Sequence, residues 1–374
     1  MRTTLQRTVV WHDGEGTCKG NGDVNTNVTI EEDLVLLFLG CEALPPYGPY
    51  DHTALLFLDL IASALSYTLQ PNHERTIVLE VYAVSEEEGP TRYPSDEDME
   101  RCDGVIIPGS FSAAYDKEKQ WILVLKDWIQ TNLVARSVPT LGVCFGHQLY
   151  AHSFSSSCLS NGGIGDEAPN HNDSEKHNGD GVAIKCPAGP QAGRKTTELT
   201  AAGRAFVKGT LNNGKCSTTC TDTGLDLFYT HGDMVESLPS QGVSLGGNKN
   251  VPIQAAIYFS APVSDSCDST LRDILCGNVG DDEDNKDKEA KDGRPKVIAV
   301  TFQAHPEFSS LGNESKGDET LHKTMKLMKE NGDLSEQDFL AAKDDAYASV
   351  LRVKEHSVNA MITAGRLLDW FRYT

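Results

Sequence analysis

Residues 137–154, SVPTLGVCFGHQLYAHSF, join a short apolar run to an amphipathic stretch through a tight turn. The apolar run 140–143 predicts a β-strand. Gly142 and Gly146 stand two positions before and two after Cys144, where they remove side chains at the close approach of strand and helix. This order of strand, turn and helix is typical of a nucleophile elbow, a strained turn that presents one reactive side chain. Cys144 is therefore the candidate nucleophile.

The turn gives Cys144 an environment that suits a reactive thiol. A helix N-terminus favours the thiolate, because the helix dipole and the unpaired amides there stabilise negative charge. The turn also directs the backbone amide of Phe145 toward the space where an acyl oxyanion would form. A buried, unreactive thiol is nevertheless the commoner state of a cysteine. A base and an orienting group elsewhere in the chain must decide between the two.

The stretch 296–308, KVIAVTFQAHPEF, supplies both groups. A β run leads directly into His305 and Glu307, and residues two apart at a strand end point to the same side. Pro306 between them restricts the backbone. His305 can then take the proton of Cys144 while the carboxylate fixes the imidazole tautomer. Because both stretches follow β runs, a parallel sheet would bring them to one edge.

His147 is a second histidine next to the nucleophile. A helix that begins near Phe145 turns this side chain away from Cys144. We therefore interpret His147 as a packing residue or a residue that faces the substrate, and not as the base.

The rest of the chain alternates short apolar runs with amphipathic stretches, which is typical of strands connected by helices. Strands are predicted at 33–39, 76–81, 104–107, 140–143, 225–228, 253–258 and 296–302. Helices are predicted at 51–69, 121–133 and 148–154, from Ser335 onward, and at 358–371. We expect an α/β fold, a three-layer sandwich with a mostly parallel central sheet.

Two segments interrupt this alternation. Residues 155–181 are rich in Ser, Asn, Gly, Asp and His, and residues 264–294 are acidic. Neither can bury enough apolar area to offset the entropy of ordering, so we predict flexible insertions. With a C-terminal helical extension at 320–374, the chain is interpreted as one domain over 30–374 rather than two.

The charge excludes several classes of partner. The 374 residues include 33 Lys and Arg against 54 Asp and Glu, which gives a net charge of −21. Such a chain is a poor ligand for nucleic acid or for an anionic membrane surface. No run of about 18 apolar residues predicts a membrane span, and no apolar signal core is present, so we expect a cytoplasmic protein. The ten cysteines lack paired metal-ligand spacing, and neither a metal nor an organic cofactor is expected.

Four stretches together resemble the class I, or triad, glutamine amidotransferases. They are DGVIIPGSFSAAY at 103–115, GVCFGHQ at 142–148, YTHGDMV at 229–235 and QAHPEF at 303–308. Their order and spacing fit that family. The likeness is greatest to stand-alone amidotransferase domains of the GMP-synthetase type and to γ-glutamyl peptidases.

The resemblance implies a catalytic triad of Cys144, His305 and Glu307. The thiol would attack the γ-carbonyl of glutamine or of another γ-glutamyl compound and form a thioester that water then hydrolyses. The amides of Gly109 and Phe145 would form the oxyanion hole.

The resemblance also implies a substrate-binding segment. Gln148 would contact the glutamyl group. Thr230, His231, Gly232 and Asp233 would hold the α-amino and α-carboxylate groups, mostly through backbone atoms. For Asp233, a turn residue that follows a glycine is an equally good interpretation.

Three hypotheses about function follow. The first is a stand-alone cysteine hydrolase of the γ-glutamyl amide bond, acting on glutamine or, as a γ-glutamyl peptidase, on glutathione-like compounds. The second keeps the same chemistry but makes the chain the ammonia-supplying subunit of a separate synthetase partner. The third is an idle interaction scaffold, which the intact triad disfavours.

Overall fold

A computed structural model of the chain describes residues 2–10, 29–44, 47–68, 72–85, 93–154, 181–211, 224–263, 295–309 and 314–351. The insertions predicted at 155–181 and 264–294 lie outside the described residues, except for Gly181. The helix predicted at 358–371 also lies outside them.

Within these ranges the chain forms strands and helices in alternation. The strands are β1 (Arg2–Val10), β2 (Thr29–Ile30), β3 (Leu34–Gly40), β4 (His73–Ala83), β5 (Gly104–Ile107), β6 (Thr140–Val143), β7 (Val182–Lys185), β8 (Gln191–Leu199), β9 (Gly224–His231), β10 (Asp233–Ser237), β11 (Gly242–Gly247), β12 (Ala255–Phe259) and β13 (Val297–Phe302). The helices are α1 (Tyr50–Thr68), α2 (Asp96–Arg101), α3 (Gln120–Trp128), α4 (Phe145–His152), α5 (Ala201–Leu211), α6 (Glu314–Glu330) and α7 (Glu336–Leu351). A π-helical turn, Ile129–Val134, extends α3, and a 3-10 turn, Pro306–Ser309, follows β13.

Eleven of the described strands form one sheet in the order β1-β4-β3-β5-β6-β13-β12-β11-β8-β9, with β2 beside β4. The strands from β4 through β3, β5 and β6 to β13 are parallel. The strand β1 at one side and the strands β12, β11, β8 and β9 at the other side pair antiparallel. The strands β7 and β10 form a separate antiparallel pair. The predicted α/β class with a parallel central sheet is confirmed.

Strand β3 shows how the sheet separates two cores. Its side chains alternate between the faces, as a pleated strand requires. Leu36 and Phe38 pack in the core that α1 and α5 cover, whereas Leu37 and Leu39 pack in the core that α3 and α4 cover. The strand is buried on both faces, which explains its continuous apolar sequence. Helix, sheet and helix therefore form the three layers of the predicted sandwich.

Helices α6 and α7 pack beside the end of β13. Leu321 and Met325 of α6 and Phe339 of α7 form a buried cluster with Phe228 of β9 and Phe308 of the 3-10 turn. At the other end of the chain, β1 pairs with β4 over nine residues, so the sheet begins before residue 30, where the predicted domain starts. In the described part of the chain, no helix has both the length and the apolar character needed to cross a membrane.

Candidate active site

Three neighbouring parallel strands end at the same edge of the sheet. Strand β5 pairs with β6 so that Ile107 lies opposite Gly142, and β6 pairs with β13 so that Val143 lies opposite Phe302. The carboxyl ends of parallel strands are where open α/β sheets form their sites. The residues that follow these three strands are therefore neighbours, although they are far apart in the chain.

Cys144 occupies a strained turn between β6 and α4. Its φ and ψ are 53° and −104°, a conformation that non-glycine residues rarely adopt. The amide of Cys144 donates to the carbonyl of Phe302 at 2.8 Å, which ties the turn to β13. A Cβ on Gly146 would lie 2.0 Å from the carbonyl oxygen of Ile107, and one on Gly142 would lie 2.8 Å from the carbonyl oxygen of Gly146. Both elbow glycines are thus required by close backbone contacts. The helix begins at Phe145, as the interpretation of His147 assumed, and three residues before the predicted range 148–154.

His305 and Glu307 form a buried pair after β13. His305 Nδ1 lies 2.7 Å from Glu307 Oε1, and the two side chains are 0% and 1% exposed. His305 Nε2 has no hydrogen-bond partner among the described residues. Burial disfavours the imidazolium, but the charges of Glu307 and Cys144 outweigh it and raise the pKa of His305 to about 10. The ring is therefore poised to be a cation beside the thiol.

Gly109, in the loop after β5, lies beside His305 and Cys144. A Cβ at this position would lie 3.1 Å from His305 Cε1 and 3.6 Å from Cys144 Cβ. The three residues thus enclose one small space. Within the described residues, the backbone amides of Gly109 and Phe145 donate no hydrogen bond. Both predicted oxyanion-hole amides are available for a ligand.

Strand β9 closes the site from the antiparallel half of the sheet. The amide of His305 donates to the carbonyl of Phe228 at 2.8 Å, although three strands separate β9 from β13 in the sheet order. The carbonyl oxygen of Thr230 lies 4.0 Å from Cys144 Sγ. His231 Nδ1 lies 2.8 Å from the carbonyl oxygen of Asp233, and its Nε2 has no partner among the described residues. Burial lowers the pKa of His231 to about 3, so the ring is neutral.

Gly232 and Asp233 continue this segment into β10. A Cβ on Gly232 would meet no atom within 4 Å, so the space beside this residue is open. Asp233 Oδ1 accepts a hydrogen bond from the hydroxyl of Tyr115 at 2.8 Å, and burial raises the pKa of this carboxyl. Asp233 thereby links β10 to the loop after β5. Its contact with a substrate stays a prediction.

Gln148 is fixed by hydrogen bonds within the protein. Its Nε2 donates to the carbonyl of Asp233 at 3.0 Å and to Gln303 Oε1 at 3.1 Å. Gln303 Nε2 is buried and has no partner in the described part of the chain. Gln303 is thus a further residue of the site beyond the predicted ones, although it stands two positions before His305.

His147 packs in the core. Its Nδ1 lies 2.7 Å from the hydroxyl of Thr301, and its Nε2 lies 3.3 Å from the carbonyl oxygen of Ile253. Burial lowers the pKa of His147 to about 4, so the ring is neutral and its two nitrogens are both used. Of the two predicted alternatives, the structure shows the packing residue.

Tyr47 is a second residue of the site beyond the predicted ones. It lies in the loop between β3 and α1, is 3% exposed, and its hydroxyl would lie 3.6 Å from a Cβ on Gly109. No local motif marks it, because only the path of the loop brings it to the site. Among the residues that the structure describes, no three His, Cys, Asp or Glu side chains form a cluster that could hold a metal ion.

Part of the chain matches a known protein family. Residues 58–253, which include Cys144, match the family model described as glutamine amidotransferase class-I. The chain is 39% identical over 61 residues to γ-glutamyl peptidase 4 of Arabidopsis thaliana, a match that covers 16% of this chain and 24% of the peptidase.

Two solved structures are also similar to the chain. One is a glutamine amidotransferase of Thermotoga maritima, with a TM-score of 0.48, 14% identity and coverage of 94% of this chain and all of that one. The other is the glutaminase domain of Trypanosoma brucei CTPS with bound acivicin, with a TM-score of 0.38, 13% identity and coverage of 79% and 94%.

Proposed function

The chain belongs to the class I glutamine amidotransferase family, and on that premise we propose that it is a cysteine-dependent hydrolase of the γ-glutamyl amide bond. The observation that carries the proposal is the strained Cys144 beside the buried pair of His305 and Glu307. A thiol, a base and a carboxylate that orients the base are the three groups that acyl transfer by a cysteine needs.

In the proposed first step, the thiolate of Cys144 attacks the γ-carbonyl carbon. An S–C bond forms, and the carbonyl oxygen becomes an oxyanion that the amides of Gly109 and Phe145 stabilise. Such donors act strongly because they are already oriented in a site that excludes water. The C–N bond then breaks, and His305 Nε2 gives its proton to the leaving nitrogen.

In the second step, water hydrolyses the γ-glutamyl thioester. His305 Nε2 takes a proton from the water as the water oxygen bonds to the γ-carbon, and the S–C bond breaks. Glutamate is released, and the Cys144 thiolate is regenerated beside the protonated His305. Throughout, Glu307 accepts from Nδ1 and holds the ring with Nε2 toward the thiol, as the 2.7 Å contact supports. The cycle needs no metal and no redox partner.

We assign the glutamyl group to the space between Gln148 and the segment that ends β9. Nε2 of the neutral His231 ring and Nε2 of Gln303 are buried polar atoms without partners among the described residues. Gln148 Nε2 connects the two residues, because it contacts Gln303 Oε1 and also the carbonyl of Asp233 that His231 Nδ1 contacts. Buried polar groups are normally hydrogen-bonded, so two unpaired ones connected in this way favour a polar ligand. The amino-acid end of a γ-glutamyl compound has this chemistry.

The decisive experiment measures hydrolysis of glutamine, glutathione and γ-glutamyl dipeptides by wild type and by Cys144→Ala. We expect Cys144→Ala to lose at least about 1,000-fold in kcat/KM, because the variant has no nucleophile. The matched control is Cys102→Ala, which removes another thiol. Cys102 donates to the carbonyl of Met99 and lies before β5, at the opposite end of that strand from Gly109. That variant should keep wild-type activity.

Equal hydrolysis by wild type and Cys144→Ala would refute the proposed enzyme. Absence of hydrolysis together with tight binding of another protein would favour the scaffold hypothesis instead.

A second candidate function is that of a γ-glutamyl peptidase. The match to γ-glutamyl peptidase 4 favours it, although that match spans only about a quarter of the peptidase. A kcat/KM for dipeptides above that for glutamine would support the peptidase. A preference for glutamine, with an ATP-using protein that co-purifies, would support the supply of ammonia to a synthetase.

A further inference from the structure

The Tyr47 side chain shares the small space around the candidate nucleophile. A Cβ on Gly109 would lie 3.6 Å from the Tyr47 hydroxyl, 3.1 Å from His305 Cε1 and 3.6 Å from Cys144 Cβ. Three groups from three separate parts of the chain therefore surround a single point. Of these groups, the phenol has no role in the two chemical steps described above.

The Tyr47 ring is anchored so that its hydroxyl end is held in this space. The ring lies 5.0 Å from the ring of Phe111 and packs in the cluster that contains Phe228 and Phe308. The ring of His305 stacks on Phe308 from the same cluster, with 4.9 Å between the ring centroids. The phenol and the imidazole are thus fixed relative to each other by common packing.

The hydroxyl keeps its proton and faces negative charge. Burial raises the pKa of Tyr47 well above its usual value, and the charges of Cys144, Glu307 and Glu42 raise it further. The side chain of Thr230 lowers this pKa but does not cancel the increase. At neutral pH the group is therefore an O–H donor. A donor next to a group that becomes anionic stabilises the anion.

We propose that the Tyr47 hydroxyl donates a hydrogen bond to the Cys144 thiolate and increases the fraction of Cys144 that is thiolate at neutral pH. The elements around the site contribute these titratable groups: Glu42 and Tyr47 after β3, Cys144 after β6, His231 at the end of β9, and His305 and Glu307 after β13. His305 supplies the positive charge of the ion pair, and Tyr47 supplies a neutral donor to the sulfur. The inference concerns the thiol alone and does not depend on which substrate the enzyme takes.

The test is the rate at which iodoacetamide alkylates Cys144 from pH 5 to pH 10, followed by mass spectrometry of the peptide that contains this residue. Tyr47→Phe keeps the ring and its packing and removes only the hydroxyl. Because a hydrogen bond to a charged group is lost, we expect alkylation at pH 7 to slow by about tenfold or more, with the pH profile moved to higher pH. Hydrolysis should slow in parallel.

The matched control is Tyr150→Phe. Tyr150 is fully buried, and its hydroxyl has no hydrogen-bond partner among the described residues, so the same chemical change is made outside the site. This variant should keep the wild-type profile. Equal melting temperatures of the three proteins would show that the ring substitutions leave the fold intact.

Two results would overturn the inference. The first is a Tyr47→Phe profile that coincides with wild type. The second is a wild-type Cys144 that reacts no faster than the buried Cys41, whose pKa burial raises well above its usual value, because no thiolate would then need a donor. A reactive, Tyr47-dependent Cys144 without γ-glutamyl hydrolysis would instead refute the proposed function and leave this inference standing.

Discussion

At Gly146, the place where a side chain would begin is already occupied by the backbone of the neighbouring strand. A Cβ there would lie 2.0 Å from the carbonyl oxygen of Ile107, and the amide of Gly146 donates to Pro108 at 3.1 Å. Neither atom belongs to a flexible side chain that could move aside. The elbow can therefore hold Cys144 close to β5 only while this position has no side chain.

We predict that Gly146→Ala destabilises the protein by about 1–3 kcal/mol, because overpacking forces the backbones of α4 and β5 apart. Urea unfolding measures this change, and alkylation of Cys144 should slow as well. Gly232→Ala is the control for stability, since a Cβ on Gly232 meets nothing within 4 Å. Similar unfolding free energies for the two variants would contradict the packing argument.

At the scale of elements, an ion-pair network joins β1, β4 and α2. Arg2 of β1 lies 2.7 Å from Glu80 of β4 and 3.2 Å from Asp98 of α2. Arg101 of α2 contacts both carboxylates. The Glu80 side chain is 6% exposed, so the two arginines, and not water, stabilise its negative charge. The network fixes the edge strand and the short helix to the sheet.

We expect Glu80→Gln to lower the free energy of unfolding by about 1–3 kcal/mol, because Arg2 and Arg101 lose a charged acceptor that is itself buried. The control is Arg136→Gln, which breaks the exposed pair of Arg136 and Asp96 and should cost less than about 1 kcal/mol. Chemical denaturation of both variants tests the difference. Equal losses would mean that burial does not strengthen the network.

The elements also show where sequence patterns succeed. All seven predicted strands lie on strands of the sheet, because each is apolar enough to be buried between layers. Six of the described strands carry no predicted strand, and β1 and β8 are the longest of these. The sequences of both, RTTLQRTVV and QAGRKTTEL, are largely polar, and their residues are mostly partly or fully exposed. Pairing with neighbours, and not local hydrophobicity, makes these segments strands.

At the scale of the whole molecule, buried histidines make stability depend on pH. Burial lowers the pKa values of His147 and His152 to about 4 and that of His231 to about 3. In the unfolded chain these groups have pKa values of about 6.5. As the pH falls from 6.5 toward 4, the unfolded state binds protons that the folded state does not. The free energy of unfolding therefore decreases, by at most about 1.4 kcal/mol per pH unit for each histidine.

His305 changes the free energy of unfolding with pH in the opposite direction. Its pKa is raised to about 10, so its contribution to stability is complete below pH 6.5 and is lost as the pH rises toward 10. The contribution of His305 to stability therefore stays constant below pH 6.5. Urea unfolding between pH 7 and pH 4.5 should therefore show a smaller acid loss for His147→Gln than for wild type. Equal slopes would contradict the burial of a neutral His147.

The sequence by itself determined the elements of the elbow, the candidate triad and the α/β class. Gly142, Cys144 and Gly146 act within one turn, and His305 and Glu307 act within one strand end, so their spacing is readable from the chain. The tertiary structure decided which distant groups meet them. The parallel register of β5, β6 and β13 brings Gly109 to the thiol. The return of β9 brings Thr230, and the loop after β3 brings Tyr47. These neighbours depend on strand order and loop path, which arise from packing over the whole sheet and leave no local pattern in the sequence.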